Sequence, residues 1–154
     1  MTIGKICNRE VITVQRDATV LHASVLMRQH HVGDVVVIEN RKNKTVPIGI
    51  VTDRDIVVEL VATELDCKVI TVGDIIITKL IVVKDSAGVF EAIQLMANKG
   101  VRRRPVVDDD DGGLVGIVTL DDLLLLLSKE LATLTKLAAK LVTREQKNEA
   151  TKRR

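Results

Sequence analysis

Aromatic side chains are nearly missing from this chain: Phe90 stands alone, with no Trp or Tyr. Without aromatic platforms the folded body has no surface on which successive bases could stack, which argues against a nucleic-acid-binding body. Cysteine is scarce as well. Cys7 and Cys67 lie far apart and form no CxxC pair, so a disulfide framework is excluded and the reading is two reduced thiols in a cytoplasmic protein without a secretory leader. The longest apolar run, Leu123 to Leu127, directly follows Asp121 and Asp122 and falls far short of the roughly 20 residues a membrane-spanning helix needs. No membrane partner is expected. An excess of charge is also lacking: the net charge is +2, and residues 142–154 hold five basic and two acidic side chains of the total. The body is therefore near neutral, and that tail is too weakly charged to make nucleic acid a leading partner.

What the chain has in abundance is Val, Ile, Leu and Ala, within an apolar content of 46% over 154 residues. That is ample for a core of strands packed on helices. The sequence is also written twice. Thr2-Ile3-Gly4-Lys5-Ile6 returns as Thr71-Val72-Gly73-Asp74-Ile75, and Leu26-Met27 as Leu95-Met96, 69 positions later. Gly49-Ile50-Val51-Thr52-Asp53-Arg54-Asp55 returns as Gly116-Ile117-Val118-Thr119-Leu120-Asp121-Asp122 at a spacing of 67. The slip of two falls in the polar stretch Glu39 to Lys44, read as a hairpin turn whose counterpart is Asp108 to Gly113.

Each copy reads as strand, helix, strand, strand, helix. Val20, Ala23 and Met27 recur at helical spacing and are matched by Val89, Ala92 and Met96. Val35 to Ile38 and Ile48 to Val51 are continuous apolar runs of the kind found in covered strands. The fold class is therefore α/β (α+β): two repeats, residues 2–66 and 67–130, that stack about a pseudo-twofold axis because neither is large enough to be stable alone. Residues 131–154 form a C-terminal helix and basic tail. Leu124, Leu127, Leu131, Leu134, Ala138 and Leu141 alternate steps of three and four, a seam that suits a homodimer contact as well as the body. The tail after Thr143 has no apolar period and is expected to be mobile.

The chemistry concentrates in Gly49-x-x-Thr52-x-x-Asp55 and Gly116-x-x-Thr119-x-x-Asp122. A strand ends at each threonine and a helix starts after it, where unpaired N–H groups and the helix dipole favour an anion. The aspartate, one turn on, can accept bonds from vicinal ribose hydroxyls. The same Thr-x-x-Asp pattern is equally a capping box that needs no ligand. No Ser, Cys or Lys has a recognisable base partner, so no enzyme activity is expected. His22, His30 and His31 lack partners at metal-ligand spacing, and they read as surface or helix-end residues.

The duplicated unit, the Val32-Gly33-Asp34-Val35-Val36-Val37 and Val101-Arg102-Arg103-Arg104-Pro105-Val106-Val107 strand starts and the paired Gly-h-x-Thr-x-x-Asp endings together resemble a tandem pair of CBS domains, a Bateman module, over residues 2–130. That resemblance implies a regulatory module with clefts between the repeats for an adenosine-bearing ligand: AMP, ADP, ATP, NAD or S-adenosylmethionine. By position, Thr52 and Asp55 would serve one site and Thr119 and Asp122 the other, with Gly49 and Gly116 behind them. Ile12, Thr13, Val32, Gly33 and Asp34 in the first copy, and Ile81, Val101, Arg102 and Arg103 in the second, would line the adenine pocket or face phosphates. Strand alternation puts Arg102 and Arg104 on one face and Arg103 on the other. Asp34 would repel a phosphate, so one site is expected to be the weaker. Output would pass in trans to a protein effector.

Overall fold

The computed structural model describes residues 1–76 and 79–154. They divide into two compact units, Met1–Val118 and Thr119–Arg154. In the first unit, the one-turn helix α1 (Ile3–Ile6) precedes β1 (Thr13–Gln15), α2 (Val20–His30), β2 (Asp34–Arg41), β3 (Lys44–Thr52) and α3 (Asp53–Ile56), which runs on as a π-helical turn through Val57–Val61. The second repeat follows the same order with α4 (Val72–Ile75), β4 (Val83–Lys84), α5 (Val89–Lys99), β5 (Arg103–Val107) and β6 (Leu114–Thr119). Each repeat holds a three-stranded sheet, ordered β1-β2-β3 and β4-β5-β6. β1 runs parallel to β2 and β4 parallel to β5, as a strand–helix–strand crossover requires.

Alternation along β2 explains the two layers of core. Val35 and Val37 are fully buried in a cluster with Val14, Val20, Ala23, Met27 and Val51, under the helices. Val36 and Ile38, on the opposite face, meet Ile117 of β6 with Val11, Ile50 and Leu114 beside them. A strand apolar on both faces is what the unbroken run Val35 to Ile38 foretells.

The helices end as their sequences dictate. Gly100 closes α5 at φ +62°, and His31 holds the equivalent left-handed position after α2 at φ +53°. The first hairpin turn is much tighter than the polar stretch suggested. β2 continues to Arg41 and β3 begins at Lys44, leaving Lys42 and Asn43, both at positive φ, as a two-residue turn. Glu39 to Arg41 and Lys44 are strand residues because such a turn follows the strand twist and lets pairing persist to the tip. The counterpart, residues 108–113, is a true loop tied by Asp108 Oδ1, which accepts from Asp110 N at 2.9 Å and Asp111 N at 3.2 Å.

The repeats are joined by reciprocal backbone bonds. Ile3 N donates to Ala87 O at 2.8 Å and Gly4 N to Asp85 O at 2.8 Å, while Val72 N donates to Ala18 O at 2.8 Å and Gly73 N to Arg16 O at 3.0 Å. Each leading turn thus docks on the other repeat. Glycine is required there, because a Cβ on Gly73 would lie 2.7 Å from Arg16 O and one on Gly4 3.0 Å from Asp85 O.

The second unit is one long helix, α6 (Leu120–Lys152), capped by Thr119. The helix continues past Thr143, where the apolar period ends, to Lys152. Residues 144–152 lack an apolar period but are mostly good helix formers, and they extend a helix already nucleated upstream. Along it Leu124, Leu131, Leu134, Leu137 and Leu141 are at least half exposed. Among the described residues, no helix is long and apolar enough to cross a membrane.

Candidate functional site

β3 ends at Thr52 in extended geometry and α3 starts at once. Asp55 N donates to Thr52 Oγ1 at 3.1 Å and Thr52 N donates to Asp55 Oδ2 at 2.9 Å. This is a reciprocal capping box. The second motif repeats it: Asp122 N donates to Thr119 Oγ1 at 3.1 Å and Thr119 N to Asp122 Oδ2 at 3.2 Å. A third box, Thr71 with Asp74, caps α4. There hydrogen bonds from the Thr71 backbone N–H and side chain to the Asp74 carboxylate hold that carboxyl below its ordinary range. Thr-x-x-Asp is thus a helix start at Thr52, Thr71 and Thr119, whereas at Thr63 it falls in a turn and the hydroxyl donates to Glu59 O, and the motif alone does not mark a site. The cap does not use up the aspartate, since the Thr52 N bond engages one carboxylate oxygen.

What distinguishes Asp55 is its setting. It lines a cavity of about 250 Å³ with Gly49, Ile50 and Glu59 of the first repeat. The opposite wall belongs to the second repeat: Ile75 and Ile76 after Gly73, then Lys79, Leu80 and Ile81, and Arg104 from β5. Gly49 has a definite role, since a Cβ on it would meet the Ile76 side chain at 2.8 Å. The glycine admits the segment that forms the far wall. Gly116 does the same for the other leading segment, where a Cβ would lie 2.6 Å from Cys7 Sγ and 2.7 Å from Asn8 O.

Arg104 is the most informative group in the cleft. Its NH1 donates to Arg103 O at 3.0 Å, and its Nε is buried without a partner among the described residues. Burial lowers the guanidinium below its ordinary value. An arginine remains protonated through any physiological pH, so a partly desolvated cation lines the cleft. An anion there would offset the desolvation.

The site residues expected from sequence are distributed unevenly. Gly49, Asp55 and Ile81 come together in the cleft. Thr52 serves as the cap beside it. Ile12 and Val32 pack against the first repeat's core, and Thr13 pairs with Val36 in the sheet. Asp34 forms an ion pair with Arg103, so it is not the free negative charge that the sequence suggested. Arg102 is exposed and Gly33, Val101 and Gly116 lie outside the cleft lining. Ile50, Glu59, Ile75, Ile76, Lys79, Leu80 and Arg104 were missed. For Arg104 a signal existed, in the alternation that separates it from Arg103. For the others the signal was the duplication itself: a carboxylate from one repeat faces a wall from the other.

The sequence pattern of the family described as "CBS domain" matches residues 3–62 and again residues 72–129. The chain belongs to the CBS-domain family. It carries a tandem pair of these domains, the second of which includes the start of the long α6. Among relatives, an uncharacterized protein of Methanopyrus kandleri is 38% identical over 80% of this chain, which spans 61% of that protein's length. The CBS domain-containing protein YhcV of Bacillus subtilis is 38% identical over 74% of this chain and 76% of its own length. The solved CBS domain protein PAE2072 of Pyrobaculum aerophilum, complexed with AMP, superposes with a TM-score of 0.71 at 25% identity, covering 84% of this chain and 99% of that one.

Proposed function

We propose that this CBS pair binds AMP, or a ligand of like charge, in the cleft between Asp55 and Arg104, and passes its occupancy in trans to a protein partner. The observation that carries this reading is that Arg104, whose buried Nε has no partner among the described residues, lines the same cavity as Asp55. The aspartate suits ribose hydroxyls, the isoleucines and Leu80 suit a flat apolar base, and Arg104 with Lys79 suits phosphate. An AMP complex in a CBS relative of similar fold supports the ligand class. Two carboxylates and two cations among the lining residues favour the monophosphate over ATP, whose extra charge has no added cation to meet it.

Binding falls to this cleft rather than to its pseudo-symmetric twin. By the 69-residue offset, Lys79 and Arg104 correspond to Glu10 and Val35. The positions that supply positive charge to the Asp55 cleft are therefore an acid and a buried core valine in the first repeat. The chain is further expected to be a homodimer through the exposed leucines of α6, whose three-and-four spacing forms a coiled-coil seam.

A melting experiment tests the ligand. AMP at about 100 times its dissociation constant should add about 2.7 kcal/mol, raising Tm by roughly 5–10 °C for a chain of this size. Asp55→Ala should lower the unliganded Tm modestly, the lost cap costing about 0.5–2 kcal/mol, and should abolish the AMP-dependent rise. A flat response of the native chain to AMP, ATP, NAD and S-adenosylmethionine would overturn the sensing reading. For the dimer, light scattering should report twice the chain mass, and Leu134→Asp should halve it.

A further inference from the structure

The reciprocal backbone bonds between the leading turns and the opposite repeats are blind to identity: either repeat could receive either turn. Two side-chain contacts are not. Asp34 at the start of β2 pairs with Arg103 at the start of β5, and Lys44 at the start of β3 pairs with Asp111 in the loop between β5 and β6. The partners in each pair are sequence equivalents, at offsets of 69 and 67, the same two offsets that relate the repeats. Equivalent residues that touch must lie at the pseudo-twofold axis, where each position meets its own counterpart.

At such positions opposite charge is available only to unlike repeats. If two first repeats came together in the same way, Asp34 would face Asp34 and Lys44 would face Lys44. Two second repeats would bring Arg103 onto Arg103 and Asp111 onto Asp111. Like charges placed across an interface are costly and suppress the wrong partner. The Asp34–Arg103 pair carries most of this discrimination, because its side chains are 17% and 29% exposed, whereas Lys44 is 51% exposed and its pair is weakened by solvent.

We propose that these two axial ion pairs form a pairing code: they select one first repeat against one second repeat and prevent association of two chains through like repeats.

Charge reversal in the full-length chain tests the code. Asp34→Arg and Arg103→Asp should each lower Tm by at least about 5 °C, or leave the chain unfolded. The double exchange, Asp34→Arg with Arg103→Asp, should return Tm to within about 2 °C of the native value. The decisive arm refolds the two single variants together. The arginine introduced at position 34 of one chain then meets the aspartate introduced at position 103 of the other, and the remaining Asp34 and Arg103 restore the native pair. A two-chain species exchanging repeats should therefore form and melt near the native temperature. The proposal is overturned if the double exchange falls by the sum of the two single losses, or fails to fold, or if the co-refolded mixture melts no higher than either variant alone.

Discussion

Replacing Arg104 by methionine is expected to weaken AMP binding roughly 10- to 100-fold, the loss of a charge-assisted hydrogen bond worth about 1.5–3 kcal/mol. Titration calorimetry with AMP and adenosine separates this from general damage. Adenosine, which lacks the phosphate, should bind the native chain and the variant within about twofold of each other, while AMP should lose its advantage over adenosine. The unliganded chain should not suffer in proportion. Arg104 Nε has no partner among the described residues and burial disfavours its charge, so a neutral side chain of similar length removes a desolvation cost as well as the bond from NH1 to Arg103 O. Equal weakening of AMP and adenosine would show that Arg104 shapes the cleft without contacting phosphate.

Gly73→Ala should produce a large stability loss from a single methyl group. Its Cβ would lie 2.7 Å from the carbonyl oxygen of Arg16, the same oxygen that accepts from Gly73 N at 3.0 Å. Backbone cannot swing aside as a side chain can, so the leading turn must lift from the first repeat. Overpacking costs about 1–3 kcal/mol and each lost hydrogen bond about 0.5–1.5 kcal/mol. A total near 2–4 kcal/mol corresponds to a fall in Tm of roughly 5–15 °C. Gly4→Ala, where Asp85 O is 3.0 Å away, should cost less. Because Ile75 and Ile76 follow Gly73 and line the cleft, Gly73→Ala should also weaken AMP binding, whereas Gly4→Ala should not. A Gly73→Ala chain melting with the native protein would mean that the docked turns are dispensable.

These two residues show how unevenly the site was written in the sequence. Asp55 was legible because a strand-to-helix junction has a local signature, and the junction is there with its capping box. Gly49 was legible as a place of close approach, although the group that approaches is the Ile76 side chain. Arg104 was separated from Arg103 only by strand alternation, which does not say which of the two faces meets a cleft. The difference lies across the repeat boundary: Arg103 finds Asp34, and Arg104 turns into a cavity whose other wall comes from the first repeat, far away in the chain. The tail is a different case. Apolar periodicity predicts burial, and its loss after Thr143 points to loss of helix, yet α6 runs to Lys152 on backbone propensity alone.

By itself the sequence determined the duplication, the order of strands and helices within each copy, the two-faced apolar strands and the helix caps. All of these depend on neighbours within a few residues or on comparison of one copy with the other. Only the tertiary structure decided which copy supplies each wall of the cleft, which arginine donor has no partner among the described residues and which acid is neutralised by which base. Those outcomes are set where the repeats cross, and a linear pattern that is nearly the same in both copies carries no mark of the partner it will meet there.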